Sequence, residues 1–507
     1  MAASSPNHDP SASKPKQRTM TDAVQLVGEH RSLIAGELHA AEGTFANVNP
    51  ATGRVVGHIA DMGPAEARLA IRAAREAFDD GRWAADAVLR QRCLLQLQAA
   101  LHTERERLRE LIVAESGSPV LLTHGVQLET PIEDLGFWAQ MAVDYPYESA
   151  LPDLEAFGKL NRRIVRREPC GVVAAITPWN FPFYLNMSKI SPALAAGCTV
   201  ILKPAPDTPW SATEIGRIAA EHTDIPSGVL NIVVSSDHLV GSVLTTSPDV
   251  DMVTFTGSTA TGRRIIADAA STVKRLCLEL GGKSAAVILD DADLERTVTA
   301  CAKAVPVHAG QSCALATRLL VPRADYERCV EIAAAAMASM QPGDPTHPKT
   351  RHGPVINAPQ QQKILGYIDA AKATSRLVTG GGVPRSPSGG CYVEPTLFAD
   401  VQPDDPIARE EVFGPVLTVI AHDGDDHAVR LANDSCYGLG GTVWSGDVER
   451  ATAVARRIRT GTVAINGAIW LAPDTPVGGY RQSGLGREHG VAGFEEFLEL
   501  KSIGVPA

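Results

Sequence analysis

The sequence predicts an α/β protein with two parallel sheets in series, each covered by helices on both faces. Short apolar, β-branched runs occur at 172–177, 199–203, 230–235, 252–256, 276–280 and 285–289, with helix-like segments such as SATEIGRIAAEH between several of them. Runs without polar alternation belong to strands buried on both faces, and their alternation with helices belongs to parallel sheets. A second series begins near Cys301 and takes in a strand at 318–321 and a helix at 324–339. After a Pro- and Gly-rich loop at 341–354 come a helical 363–373, a Gly-rich 380–390 and a strand at 416–420. A length of 507 residues also exceeds one ordinary core, so two or three domains are expected, with a break near Gly281-Gly282.

The flanks are simpler. Apolar residues at helical spacing predict helices over 65–80 and 87–115, and FEEFLELKSIG near the end reads as one alternating strand suited to subunit contact. The first twenty residues are rich in Ser, Pro and Ala and lack an apolar core segment, so they read as a disordered tail and not as a secretory signal. No internal repeat is legible.

Composition narrows the function. A hydrophobic fraction of 44% and a charged fraction of 21% are those of a soluble globular chain. A net charge of −11 argues against nucleic acid or an anionic membrane as partner. No apolar run approaches the roughly 18 residues of a membrane span. Nine cysteines, an odd number without a CxxC pair, read as free thiols in a reducing cytoplasm. No HExxH or comparable spacing suggests a metal.

Several residue types stand where chemistry can be done. Cys313, in HAGQSCALATR, has a small-residue setting that would suit a thiolate at a helix start, although most free cysteines are buried structural thiols. Glu279 ends an apolar strand before two glycines, a place for a general base or for an ion-paired glutamate at a turn. Asn180 sits in the stiff ITPWNFPFY turn, where its amide can donate to an oxyanion or simply bond its own backbone. Lys203 closes the strand TVILK, at the strand end where doubly wound folds bind ligands, or as a solvated end. FTGSTATGRR turns from strand to helix through Gly257 and Ser258, as phosphate sites do, yet matches neither the P-loop nor GxGxxG. EEVFGPV puts an acid pair, including Glu411, before a rigid turn with Phe413, and in isolation it reads equally as an exposed turn.

Taken together and in order, PWNFP, LKPA, FTGS, ELGGK, GQSC, EEVFGPV and GGYRQSGLGRE resemble the aldehyde dehydrogenase superfamily, over all but about the first twenty residues. The resemblance implies two Rossmann-like parallel-sheet domains, one for cofactor and one catalytic, with a small β oligomerisation element. By its pattern residues 21–145 and 170–281 would bind NAD(P), 282–481 would be catalytic, and 146–169 with 482–507 would bridge subunits of a homodimer or homotetramer.

The same resemblance implies roles for single residues. Cys313 is similar to the nucleophile, Asn180 with the Cys313 amide to the oxyanion hole, Glu279 to the base that activates water, and Glu488 to a glutamate of the proton relay. Lys203 is similar to the ribose-binding lysine and Ser258 to the hydroxyl at the pyrophosphate. Glu411 and Phe413 are similar to the clamp on the nicotinamide half. Ile176, Thr177, Trp179, Gly257 and Gly281 would complete the cofactor groove. Phe181, Leu185, Ser188, Val307, Ser312, Ala314 and Leu471 align with the substrate tunnel, and their apolar character points to uncharged aliphatic or aromatic aldehydes.

The sequence departs from the family pattern at three places. Pro206 replaces the glutamate that selects NAD, leaving NADP open, although Asp207 is adjacent. Ser235–His238 replaces a Gly-containing turn, and Arg481 replaces a lysine while keeping its charge. Two other chemistries compete. A CoA-acylating relative usually lacks the glutamate found here at 279. A cysteine hydrolase would need a histidine such as His308 at the thiol.

Overall fold

The computed structural model describes residues 27–469 and 471–506; the tail expected at the first twenty residues lies outside them. The first sheet contains the strands Val172–Ile176, Thr199–Lys203, Leu230–Ile232, Met252–Thr256 and Arg275–Glu279, all parallel. Numbered one to five along the chain, they lie in the order 3-2-1-4-5, the dinucleotide-fold order, whose ligand crevice opens between strands one and four. Each predicted run became a strand to within three residues. Successive side chains leave by opposite faces: Val172 and Ala174 join one buried cluster, Val173 and Ala175 another. The helices Pro64–Asp79, His238–Thr246 and Thr259–Ala269 cover the first face; Ala87–Ser116, Glu129–Asp144, Pro182–Ala196 and Trp210–His222 cover the second.

The second sheet repeats the plan. Its strands Ser284–Ile288, Ala316–Pro322, Val416–His422, Gly440–Trp444 and Thr462–Ile465 are parallel, with Thr396–Ala399 also parallel beyond Val416–His422 and Arg376–Thr379 antiparallel at that edge. The order around Ser284–Ile288 is again that of a doubly wound sheet, although no repeat is legible in the residues. Backbone topology tolerates any apolar residue that fits, so architectural likeness survives without sequence likeness.

Two features differ from expectation. Residues 494–504 are not one strand: Gly490–Glu495 is helical, and the strand runs Leu498–Pro506. Phe494 is buried and stacks on Trp138 with ring centroids 6.4 Å apart, so the apolar half of the segment is held as a helix against Pro182–Ala196. The strand then pairs antiparallel with Lys159–Pro169, itself paired with Glu148–Ala156, in a separate three-stranded sheet. Secondly, Gly484–Leu485, from beyond the second sheet, returns to add an antiparallel edge beside Arg275–Glu279. Among the described residues no helix is long and apolar enough to cross a membrane.

Candidate active site

The last parallel strand of the first sheet ends at Glu279, and the chain enters the second sheet at Ser284. A cavity of about 310 Å³ lies at this junction, within the range of small-molecule sites. Cys313, Glu279, Asn180 and Glu488 all line it.

Cys313 stands in a turn just ahead of the strand Ala316–Pro322, not at a helix start. The thiolate stabilisation expected from a helix is therefore absent. Burial, with the Glu411 and Glu279 carboxylates nearby, instead pushes the thiol up to about 12. Its backbone passes close against Gly282, where a Cβ would stand 2.5 Å from the Cys313 carbonyl oxygen.

Asn180 is buried in the turn before the helix that starts at Pro182, where proline serves the first helical position. Its Nδ2 donates to the Gln311 carbonyl at 2.9 Å, which carries the amide across to the Cys313 loop. Its own carbonyl accepts from His308 Nε2 at 2.6 Å and from Gln127 Nε2 at 3.0 Å. His308 is thus engaged by the backbone, and burial pulls it down to about 4. A neutral ring committed to another carbonyl does not suit the hydrolase reading.

Glu279 is the last residue of its strand, opposite Thr256 in register. Its Oε1 and the Thr256 hydroxyl have no hydrogen-bond partner among the described residues. Burial, reinforced by the Glu488 carboxylate, holds Glu279 well above the usual carboxylate range. Glu488 in turn pairs with the Lys189 ammonium, which also donates to Thr254 Oγ1 at 3.1 Å. Beside them Tyr184 and His489 share a hydrogen bond of 3.0 Å, and both line the cavity. Lys189, Tyr184, His489 and Thr256 were not singled out by sequence. Lys189 did leave a signal: a lysine in a helix apolar on every side must be buried and paired.

The cavity keeps Phe181, Leu185, Ser312, Ala314 and Leu471 of the predicted tunnel. Val307 and Ser188 are not among its lining residues. Val307 opens a short turn in which His308 and Ala309 take φ of 51° and 54°. The preceding helix Leu294–Ala304 supplies Ala300, Cys301 and Ala304 instead, and Thr442 and Trp444 add further wall.

The residues expected at a dinucleotide gather at the first sheet's crevice. Ile176 ends strand one, and Gly257 and Ser258 follow strand four. Ser258 Oγ accepts from the Thr261 amide at 3.2 Å, capping the helix Thr259–Ala269 so that its amino end points into the crevice. The Thr177 hydroxyl is already committed to Asn186 Oδ1 at 2.6 Å. Lys203 is buried and, among the described residues, donates to the Pro204 carbonyl alone, at 3.4 Å; burial lowers its ammonium to about 8. Glu411 Oε1 accepts from the Gly282 amide at 2.9 Å. A Cβ at Gly281 would meet Glu411 Oε2 at 2.4 Å, so glycine is needed for this approach. Phe413, at φ 57°, sets its ring edge-on to Trp179 at 5.4 Å.

The three departures find local partners. Asp207 accepts from Asn357 Nδ2 at 2.8 Å. Ser235 and Ser236 anchor to Asp61, while Asp237 caps the following helix. Arg481 Nη1 donates to the Asn433 carbonyl at 2.9 Å, at the end of the helix Asp425–Asn433.

Comparison with known proteins identifies the family. The aldehyde dehydrogenase family matches residues 38–503. A 3-succinoylsemialdehyde-pyridine dehydrogenase of Pseudomonas sp. is 42% identical over 465 residues, covering 90% of this chain and 94% of that one. Geranial dehydrogenase of Castellaniella defragrans is 39% identical over 459 residues, covering 90% and 94%. Among solved structures, indole-3-acetaldehyde dehydrogenase AldA of P. syringae, in complex with NAD+ and IAA, superposes with a TM-score of 0.90 at 35% identity. That match covers 95% of this chain and 97% of AldA. Pseudomonas syringae AldC, in complex with NAD+ and octanal, gives 0.88 at 38% identity, covering 94% and 96%. The shared fold, the motifs in order and the match along nearly the whole length lead to one statement: the chain belongs to the aldehyde dehydrogenase family.

Proposed function

We propose that the protein oxidises an uncharged aliphatic or aromatic aldehyde to its carboxylic acid with NAD+, through a covalent intermediate on Cys313. The observation that carries this reading is the presence of Cys313, Asn180, Glu279 and Glu488 on the wall of a single cavity.

NAD+ suits the crevice, where a capped helix end, an ammonium with no carboxylate partner among the described residues and the Glu411 loop converge. Lys203 would hold the ribose next to the adenine, the helix end at Ser258 the pyrophosphate, and Glu411 with Phe413 the nicotinamide half. When bound, the oxidised nicotinamide supplies the two-electron acceptor. Asp207, next to Pro206, disfavours a 2′-phosphate, so NADP+ is the weaker cosubstrate.

The protein's own residues do the rest. Deprotonated Cys313 Sγ adds to the aldehyde carbon, and the Asn180 amide with the Cys313 N–H bears the oxyanion. Oxidation leaves a thioester on Cys313. Glu279, raised by burial to a basicity fit for the task, removes a proton from water as it attacks the thioester, and the acid leaves. Glu488, tied to Lys189, passes that proton onward.

The described lining residues include no Lys or Arg, and apart from Glu279 and Glu488 none is acidic, which favours a neutral substrate. The octanal bound to the AldC relative supports the same class. Residues 21–145 with 170–281 serve as the cofactor domain and 282–481 as the catalytic one. Residues 146–169 and 482–507 bridge subunits of a dimer or tetramer, for which the exposed Leu151, Leu154 and Leu500, on one side of the three-stranded sheet, offer apolar contacts. The reaction is assigned to the cytoplasm, where free thiols persist.

The test is a panel of aliphatic, aromatic and acidic aldehydes with NAD+ and NADP+, following reduced nicotinamide, with Cys313→Ala as control. Turnover of hexanal that disappears in the variant is expected. A preference for succinic semialdehyde over hexanal would overturn the substrate class.

A further inference from the structure

At the ends of the first sheet's strands remote from the cavity, two thiols lie against each other. Cys170 precedes Val172–Ile176 and Cys198 precedes Thr199–Lys203, and these strands are parallel neighbours. The two Sγ atoms are 3.7 Å apart, with Met252 Sδ a further 3.8 Å from Cys170 on the adjacent strand. A disulfide requires an S–S distance of about 2.05 Å, so closing the gap takes a side-chain shift of under ~2 Å and no change of register. Cys198 is fully buried, whereas Cys170 is partly exposed.

The two thiols are also joined by a hydrogen bond. Although burial opposes it, the hydrogen bond from Cys170, with the amides of Gly171 and Cys170, keeps the Cys198 thiol below its ordinary value. That same bond, with burial, holds Cys170 well above. Both residues reach the C-terminal segment: the Phe497 carbonyl accepts from the Cys170 amide at 2.8 Å and from Cys198 Sγ at 3.4 Å. The strand Leu498–Pro506 begins at the next residue.

We propose that Cys170 and Cys198 form a dithiol site that a hydroperoxide converts to an intramolecular disulfide, tying the first two strands together and releasing one of the two bonds to Phe497. In the first step Cys170, the more exposed of the two, passes its thiol proton to the departing peroxide oxygen as its sulfur takes the outer oxygen, giving a sulfenic acid while the O–O bond breaks and water or an alcohol leaves. In the second, Cys198 sulfur displaces that hydroxyl as water, and the S–S bond forms. Two electrons pass from the sulfurs to the peroxide, and both thiol protons leave in water or alcohol.

The test uses the full chain carrying Cys313→Ala, so that oxidation at the cavity does not enter the count. After hydrogen peroxide treatment, remaining thiols are capped, and the protein is digested without reductant for mass spectrometry. A peptide pair joined through Cys170 and Cys198, with a loss of two thiols that dithiothreitol restores, is expected. Recovery of either residue as a free thiol, or as a sulfinic or sulfonic acid, while other cysteines are oxidised would overturn the proposal. In Cys198→Ser the cross-link should vanish and Cys170 should become trappable by dimedone; an unreactive Cys170 would also count against it. Amide exchange across 498–506 is expected to quicken in the disulfide form, and unchanged exchange would overturn the link to Phe497.

Discussion

The Lys189 ammonium, closed off from solvent inside the helix Pro182–Ala196, is paired with the Glu488 carboxylate at the cavity wall. These two charges act in opposite senses on Glu279: Glu488 raises its proton affinity and Lys189 lowers it. Lys189→Met leaves Glu488 unpaired, so Glu279 is expected to hold its proton to higher pH. A base needed in its ionised form is then lost sooner on acidification, and the acid limb of the kcat profile moves upward. Removing one partner of a buried pair costs about 3–5 kcal/mol, so the measurement is made at a temperature where the variant is folded by circular dichroism. An unmoved acid limb would exclude the coupling.

Glu279→Gln keeps the shape of the carboxyl group and removes the base. Turnover is expected to fall by about 100- to 10,000-fold with hydride transfer in the first turnover preserved. Intact-protein mass spectrometry during turnover should show the acyl group on Cys313. Deacylation at the parent rate would remove Glu279 from the role.

Asn180→Ala is expected to lower kcat by roughly 100- to 1,000-fold, the usual effect of losing one oxyanion donor. Because Nδ2 also bonds the Gln311 carbonyl, thermal stability is read alongside. A KM effect without loss of kcat would assign Asn180 to loop positioning alone.

The thiol of Cys313, held at about 12 before cofactor binds, gives a pH signature. Only the thiolate alkylates, so inactivation by iodoacetamide should rise about tenfold per pH unit between about pH 7 and 10. A plateau below about pH 9 would show a thiolate already formed in the free enzyme.

Lys203→Met should weaken NAD+ binding by about 10- to 100-fold, the worth of hydrogen bonds from a charged donor. The value is read by calorimetry without aldehyde. Equal affinity in variant and parent would place the ribose elsewhere.

The first sheet was legible because its strands are buried on both faces, so an unbroken apolar run such as Thr199–Lys203 marks the element to the residue. The proposed catalytic side chains were named through motifs, and their convergence on one cavity required a chain that leaves the first sheet at Glu279 and enters the second at Ser284. The environment of Cys313 was misjudged, since small neighbours in sequence do not reveal which carboxylates approach in space. The tunnel wall at Ala300, Cys301 and Ala304 was missed for a related reason: on an amphipathic helix, a residue facing a cavity has the same pattern as one facing the core. Val307 was misplaced by two consecutive left-handed residues, which no residue type there demands.

The edge strand Gly484–Leu485 has a consequence for how the chain is made. It closes the first sheet only after some two hundred further residues have been translated, or about 10–40 s at ordinary ribosome speeds. Until then the edge at Arg275–Glu279 presents unpaired amides and carbonyls, the kind of template on which nascent chains stick to one another. Glu279 sits on that same open edge. The residue proposed to activate water therefore reaches its final position among the last events of synthesis, and a cell that makes the chain in quantity must shelter a half-built sheet for most of that interval.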